Sequence, residues 1–284
     1  MSTLRSAAFA LLLSLCTLIP EAHAQFTAMK QIESSLLVTG TVDVDASGRV
    51  LGYAVDEPEK LPQAILSMTA RIAPQWRFEA AEGVPTQRLA MRLMFVSKKL
   101  DDTRYEITLR SGNFEKSGLG PASHLRVDPD HFVAPRYPAL WEQAGVTGQI
   151  FVALRIDRDG RPTDFAVTRI NMRAITSQPK LQRLRTAAAK SVLAEAPNWR
   201  FLLPVEELAT DKQSWTGTLP ISYWFEGQEP RYGTWMPYVA GPYTPAPWAE
   251  EDAKSADQSQ EALPSGAFHS TTDSRRLISP LQGG

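Results

Sequence analysis

The chain has 284 residues, a formal net charge of −1 from 30 basic and 31 acidic residues, and a single cysteine, Cys16. This length allows one large domain or two small ones. The balanced charge gives no general attraction to nucleic acid or to an anionic membrane surface, so we expect no nucleic-acid partner.

Residues 1–24 have the layout of a cleavable secretory signal. The basic residue Arg5 precedes an apolar run of 13 residues at 7–19, and a small-residue triplet ends at Ala24. A membrane-spanning helix needs about 20 apolar residues. We therefore predict cleavage after Ala24 and a periplasmic location, with an uncleaved inner-membrane anchor as the alternative. Cleavage would remove Cys16, and with it any disulfide, thiol nucleophile or cysteine metal ligand.

One phrase occurs twice in the chain, as Ala-Pro-Gln-Trp-Arg-Phe at 73–78 and as Ala-Pro-Asn-Trp-Arg-Phe at 196–201. Before each copy, alternating apolar residues flank an acidic turn that contains Gly48 or Gly160, which predicts a β-hairpin. An amphipathic helical pattern follows and ends at the Ala-Pro, since proline stops a helix. Another apolar strand pattern comes after each copy. We interpret the phrase as the helix exit of a duplicated β-β-α-β unit.

These patterns predict an α+β protein with two small domains, each an antiparallel sheet with one main helix. The predicted units are 25–112 and 130–227, joined by a linker at 113–129. We expect the tail at 228–284 to be largely disordered, because it is rich in proline and then polar with few large apolar residues. Its first, Pro-aromatic part is expected to pack on the second domain, with a polyproline-like ligand segment as the alternative.

The repeated phrase also supplies the predicted structural core. A tryptophan that leaves a helix packs well between helix and sheet, where its indole buries a large apolar area. The predicted core residues are Trp76, Phe78, Trp199 and Phe201.

Several motifs follow one another in the second half. A P-x-Y-P segment at 135–138 precedes a short helix, an Asp-Gly-Arg turn at 159–161, the Trp-Arg-Phe phrase and a final apolar strand. This order resembles the C-terminal domain of the TonB family of energy transducers over about 130–227. The first half is similar to the same domain but lacks the P-x-Y-P segment, so we interpret it as a divergent copy.

The resemblance implies a peptide-binding edge. In that family the last strand takes up an extended peptide of an outer-membrane receptor by strand addition. Pro220 fits an edge strand here, because proline cannot donate to a central ladder. The partner implied is an outer-membrane receptor or another envelope protein. The implied contact residues are Tyr137, Gly217, Thr218, Leu219, Pro220, Ile221, Ser222 and Tyr223.

The chain also departs from the family. The transducers keep an uncleaved N-terminal helix and a long proline-rich spacer, and the best-known members have glutamine where Ala134 stands here. We therefore predict a periplasmic protein- or peptide-binding module linked to outer-membrane transport. The alternatives are a membrane-anchored transducer that retains 7–19, and a structural envelope protein that dimerises through its sheet edges.

Catalytic chemistry has little support in the sequence. The histidines at 124, 131 and 269 show no metal-ligand spacing and no adjacent nucleophile. Asp157 and Asp159 belong to a hairpin turn, where aspartate bonds its own backbone. No phosphate loop or dinucleotide fingerprint occurs. We predict that the protein is not an enzyme and uses no metal or cofactor.

Overall fold

The computed structural model describes residues 32–81, 83–117, 124–249, 260–270 and 274–282. The predicted signal at 1–24, including Cys16, lies outside these ranges. Within them, no helix has both the length and the apolar character needed to cross a bilayer.

The first half is an antiparallel sheet packed against one helix. Its elements are β1 (Ile32–Asp45), β2 (Val50–Val55), α1 (Gln63–Ile72), β3 (Thr86–Lys99) and β4 (Tyr105–Lys116). Alternate residues of β1 are buried, as expected for a strand with one face on the core. Helix α1 buries Ile65, Thr69 and Ile72 and then passes into a 3-10 turn at Ala73–Gln75.

The second half repeats this plan with additional short elements. They are β5 (Arg126–Val127), α2 (Ala139–Ala144), β6 (Thr147–Asp157), β7 (Pro162–Arg173), α3 (Gln178–Glu195), β8 (Phe201–Leu202), α4 (Val205–Leu208) and β9 (Ser214–Tyr223). Helix α3 ends in a 3-10 turn at Ala196–Asn198, at the second copy of the phrase. Strand β6 pairs with β7 on one side and with β9 on the other.

Two further strands come from the segment that follows β9. They are β10 (Met236–Val239) and β11 (His269–Ser270), and the sheet order is β11-β9-β6-β7-β10-β1-β3-β4, with β2 also paired to β1. Strand β10 pairs with β1 from Ile32↔Val239 onward and with β7 at Val239↔Met172. The fold is therefore α+β, with one largely antiparallel nine-stranded sheet that runs through both halves.

Each half has its own hydrophobic core. One cluster of buried residues contains Trp76 and Phe78, and the other contains Trp199 and Phe201. The exposed fraction of these four predicted core residues is 0 to 3%. The Trp76 indole N–H donates to the carbonyl oxygen of Leu281 at 2.9 Å, so the C-terminal residues close the first core.

The two copies of the phrase make the same contact with the preceding hairpin turn. The Phe78 N–H donates to the Gly48 carbonyl at 2.8 Å, and the Phe201 N–H donates to the Gly160 carbonyl at 2.9 Å. Both glycines have positive φ, 89° and 74°. A Cβ would lie 1.8 Å from the Phe78 oxygen in the first half and 2.0 Å from the Phe201 oxygen in the second, so only glycine fits. The phrase thus occupies equivalent positions in two similarly built halves.

The structure corrects two predicted segments. Strand β4 continues to Lys116, past the predicted boundary at 112, and residues 126–127 of the predicted linker pair with β8. The prediction of a largely disordered tail is wrong for the described residues of 228–284, which include the strands β10 and β11. These residues also bury Ala262, Leu263, Phe268 and Leu281. The physical reason is that a few apolar residues are enough to order this segment when open strand edges supply hydrogen-bond partners for its backbone.

Candidate functional site

The predicted contact residues 217–223 form most of β9, and Tyr137 lies beside the C-terminal end of that strand. One side of β9 pairs with β6 from Gly148↔Tyr223 to Asp157↔Ser214. Tyr137 packs edge-on against Tyr223 at 5.2 Å between ring centroids and stacks on Phe225 at 5.0 Å. Trp141 packs edge-on against Tyr223 at 5.9 Å. We call Tyr137, Trp141, Tyr223 and Phe225 the aromatic cluster.

The P-x-Y-P segment fixes the position of Tyr137. Pro138 is the N-cap residue of α2, and the Tyr137 hydroxyl donates to the Val146 carbonyl at 2.6 Å, just beyond the end of that helix. Burial raises the pKa of Tyr137 to about 12, so the phenol stays neutral at physiological pH. Tyr137 therefore serves as a rigid apolar wall with its one polar atom already bonded.

A groove of about 350 Å³ runs beside the aromatic cluster. Its walls include Phe132, Ala134, Tyr137, Ile221, Tyr223 and Trp224. We call it the edge groove. Leu219, Ile221 and Tyr223 point their side chains into the core of the second half, so these predicted contact residues form or support the floor of the groove.

Part of the predicted binding edge is occupied by the protein's own C-terminal segment. Strand β11 pairs with β9 through His269↔Thr218 and Ser270↔Gly217. The Gly266 N–H donates to the Pro220 carbonyl at 2.8 Å. The side of β9 that faces away from β6 is thus covered between residues 217 and 220 by a strand added in cis.

Gly217 and Pro220 suit this arrangement for different reasons. A Cβ on Gly217 would lie 2.3 Å from the His269 carbonyl oxygen and 2.4 Å from the Phe268 ring, so a side chain there would push β11 away. The Pro220 carbonyl points away from β6, hence its missing N–H removes no bond from the β6–β9 ladder. Both residues fit an edge that receives a strand.

Residues 260–270, which we call the tail strap, cross the face of the sheet opposite the helices. Glu261, 3% exposed, forms an ion pair with Arg169 at 2.9 Å and accepts a hydrogen bond from Asn171. In the first half, the Arg92 Nε donates to the Ala262 carbonyl at 2.8 Å. The tail strap is therefore anchored on both halves of the molecule.

His269 links the two ends of the sheet. Its backbone belongs to β11 on β9, while its Nδ1 lies 2.6 Å from the Glu115 carboxylate on β4. Burial alone would raise the pKa of Glu115, but the hydrogen bond with His269 brings that pKa below its ordinary value. This contact brings the outermost strands of the sheet close together.

A second cavity, of about 340 Å³, lies between the two halves under the tail strap. We call it the central cavity. Among its lining residues are Arg92 of β3, Arg173 at the end of β7, and Trp224. Sequence reasoning missed it, because these residues come from distant strands and carry no motif. Ser222 and Trp224 also line the edge groove, so the two spaces adjoin.

Asp157 and His131, which were considered as candidate catalytic residues, make ordinary local hydrogen bonds. The Asp157 carboxylate accepts the N–H groups of Asp159 and Arg161, each at 2.9 Å, as in an ordinary turn. His131 bonds Asp128 at 2.7 Å. Within the described ranges, no group of three or more histidine, cysteine, aspartate or glutamate side chains could hold a metal ion.

Comparisons with protein-family models, with curated proteins and with solved structures found no match to this chain.

Proposed function

We propose that this protein is a cell-envelope module that binds an extended peptide by adding it as a strand to β9. The observation that carries the proposal is that β9 already receives a strand there, from residues 269–270 of its own chain. We further propose that the two halves are tandem domains of the type found at the C-terminus of TonB transducers, the first divergent. The repeated turn contact of Gly48 and Gly160 supports this proposal.

Backbone geometry favours a longer partner strand. The Pro220 carbonyl faces away from β6. Because the backbone direction repeats every second residue in a strand, the backbone N–H and C=O groups of Thr218 and Ser222 also face away from β6. The ladder of β11 covers two residues of β9. A peptide that pairs from Gly217 to Tyr223 would satisfy more backbone groups than the cis strand does.

The edge groove indicates which side chains such a peptide would carry. Its walls are largely aromatic and apolar, and Tyr137 has its hydroxyl already bonded to Val146. An aromatic or aliphatic side chain at the groove would bury its surface against this wall, at roughly 25 cal/mol per Å². The partner is therefore an extended segment with an apolar anchor, which we assign to an outer-membrane receptor or another envelope protein.

A reciprocal competition experiment tests the proposal. The probe is a fluorescein-labelled peptide of residues 264–270, measured by anisotropy against the full chain. The wild-type chain should bind it weakly, because the tethered copy competes at an effective concentration of about millimolar. Phe268 is 5% exposed and packs on Phe201. The chain variant Phe268→Ala should weaken the cis strand and raise peptide affinity at least about tenfold, whereas the same change in the peptide should lower it.

Two controls sharpen the result. Leu277→Ala alters a tail residue that packs on the first half, so it should leave peptide affinity unchanged. In the Phe268→Ala chain, Thr218→Pro removes one outward N–H and should weaken binding about fivefold, while Thr218→Ala should not. Equal peptide binding by wild type and Phe268→Ala would contradict strand addition at β9. Dimerisation at micromolar concentration without peptide would favour the self-associating alternative.

A further inference from the structure

We propose that the central cavity binds a small organic anion with an apolar body. The cavity measures about 340 Å³, which is within the size range of small-molecule sites. It is built from strands of both halves and is covered by the tail strap, so its shape depends on the whole chain. This inference does not require that a peptide binds to β9, although the two sites share Ser222 and Trp224.

The charges around the cavity are predominantly positive. Three arginines line it: Arg92, Arg173 and Arg231. Among the described lining residues the one carboxylate is that of Glu261, whose charge is matched by Arg169 at 2.9 Å. The cavity therefore holds an excess of cationic groups, and an anion would balance them.

Arg173 is the principal anion-binding group. Its guanidinium stacks on the Trp224 ring at 4.4 Å, and burial lowers its pKa to about 10, so it stays charged at neutral pH. Among the described residues, Arg173 has no ion pair or hydrogen bond besides this ring contact. The Arg173 nitrogens are not among the buried atoms that lack a partner, so its N–H donors are open to the cavity. An oxyanion in the cavity would accept two of them in a bidentate geometry.

Arg92, on β3 of the first half, gives a second donor to the cavity. Its Nε donates to the Ala262 carbonyl at 2.8 Å, which fixes the side chain at the cavity. No carboxylate of the described residues lies within ion-pair distance of Arg92, although Glu115 attracts it over a longer distance. The positions of Arg92 on β3 and Arg173 on β7 place cationic groups on both halves of the sheet. A bound anion would therefore join the halves.

The remaining walls indicate an amphipathic ligand. The apolar wall residues are Leu37, Met94, Trp224, Met236 and Leu263. Gln149 and Ser222 add a few polar groups. A ligand with one oxyanion and an aliphatic or aromatic body would fill both parts, whereas inorganic phosphate would leave the apolar walls unused.

The test compares two fluorescent probes that differ by one charged group. Anilinonaphthalene sulfonate carries a sulfonate, and phenylnaphthylamine has the same rings without it. We expect saturable sulfonate binding at one site per chain, with the neutral probe at least about tenfold weaker. Arg173→Gln should weaken sulfonate binding about tenfold or more and leave the neutral probe unchanged.

Arg155→Gln is the matched control, because Arg155 also lies over a tryptophan, Trp248, at 5.7 Å, but is paired with Asp164. It should leave sulfonate binding at the wild-type value, and circular dichroism should show both variants folded. The proposal is overturned if the sulfonate probe shows no saturable binding, if the two probes bind equally, or if Arg155→Gln and Arg173→Gln have the same effect.

Discussion

Replacing Gly160 by alanine tests the contact between the hairpin turn and the repeated phrase. A Cβ there would lie 2.0 Å from the Phe201 carbonyl oxygen, and φ is 74°. The left-handed conformation alone costs alanine about 1 kcal/mol. Losing the Phe201–Gly160 hydrogen bond costs about 1 kcal/mol more, and displacing packed backbone costs about 1–3 kcal/mol. We therefore expect Gly160→Ala to lower the free energy of unfolding by about 3–5 kcal/mol.

Gly145→Ala measures the free-energy cost of a left-handed alanine without the cost of a steric clash. Gly145 also has positive φ, 62°, but a Cβ there would meet nothing within 4 Å. This variant should cost only about 1 kcal/mol. Gly48→Ala, with a Cβ 1.8 Å from the Phe78 oxygen, should match Gly160→Ala. Urea unfolding followed by tryptophan fluorescence gives the three values. If Gly160→Ala costs no more than Gly145→Ala, the close approach of turn and phrase does not stabilise the fold.

Three further predictions concern the C-terminal residues. Leu281→Ala removes a side chain that is 7% exposed in the first core, and it should cost about 2–4 kcal/mol in urea unfolding; an unchanged midpoint would mean that this residue is not docked. Glu261→Gln removes the negative charge from the ion pair with the buried Arg169 and should destabilise by about 2 kcal/mol, with faster amide exchange in the tail strap. The lowered pKa of Glu115 means that its pairing with His269 stabilises the fold above the ordinary carboxyl pKa. That contribution is lost as the pH falls through the lowered value, so His269→Gln should flatten the acid limb of the stability curve. An identical acid limb in the variant would contradict this assignment.

The parts of the fold that could be predicted are those fixed by local patterns. The alternation around Gly48 and Gly160 predicts the hairpins of both halves. The helical spacing predicts the main helices, and the Ala-Pro that ends each helix predicts the position of the buried tryptophan. The proximity of Tyr137 to β9 came from the family resemblance, and the structure brings their rings to 5.2 Å. Whether a peptide binds there stays a prediction.

The missed elements depend on distant partners. Strand β10 has four residues, and Pro237 within it argues against a central strand. It is tolerated because β10 contacts β7 only through Val239, so at Pro237 the strand has a single neighbour, β1. Strand β11 has two residues in a polar stretch. Such short segments carry no periodicity, and open edges far away in sequence decide their conformation.

The position of β10 also has a consequence for the order of synthesis. Ile32, at the start of β1, pairs with Val239, so the edge of the first described strand stays open until β10 has been synthesised. A chain that stops before Met236 would expose backbone groups on β1 and β7 at the same time, and both edges would be open to pairing with other molecules. The halves look separable by their cores, yet neither is complete until the C-terminal segment has been made.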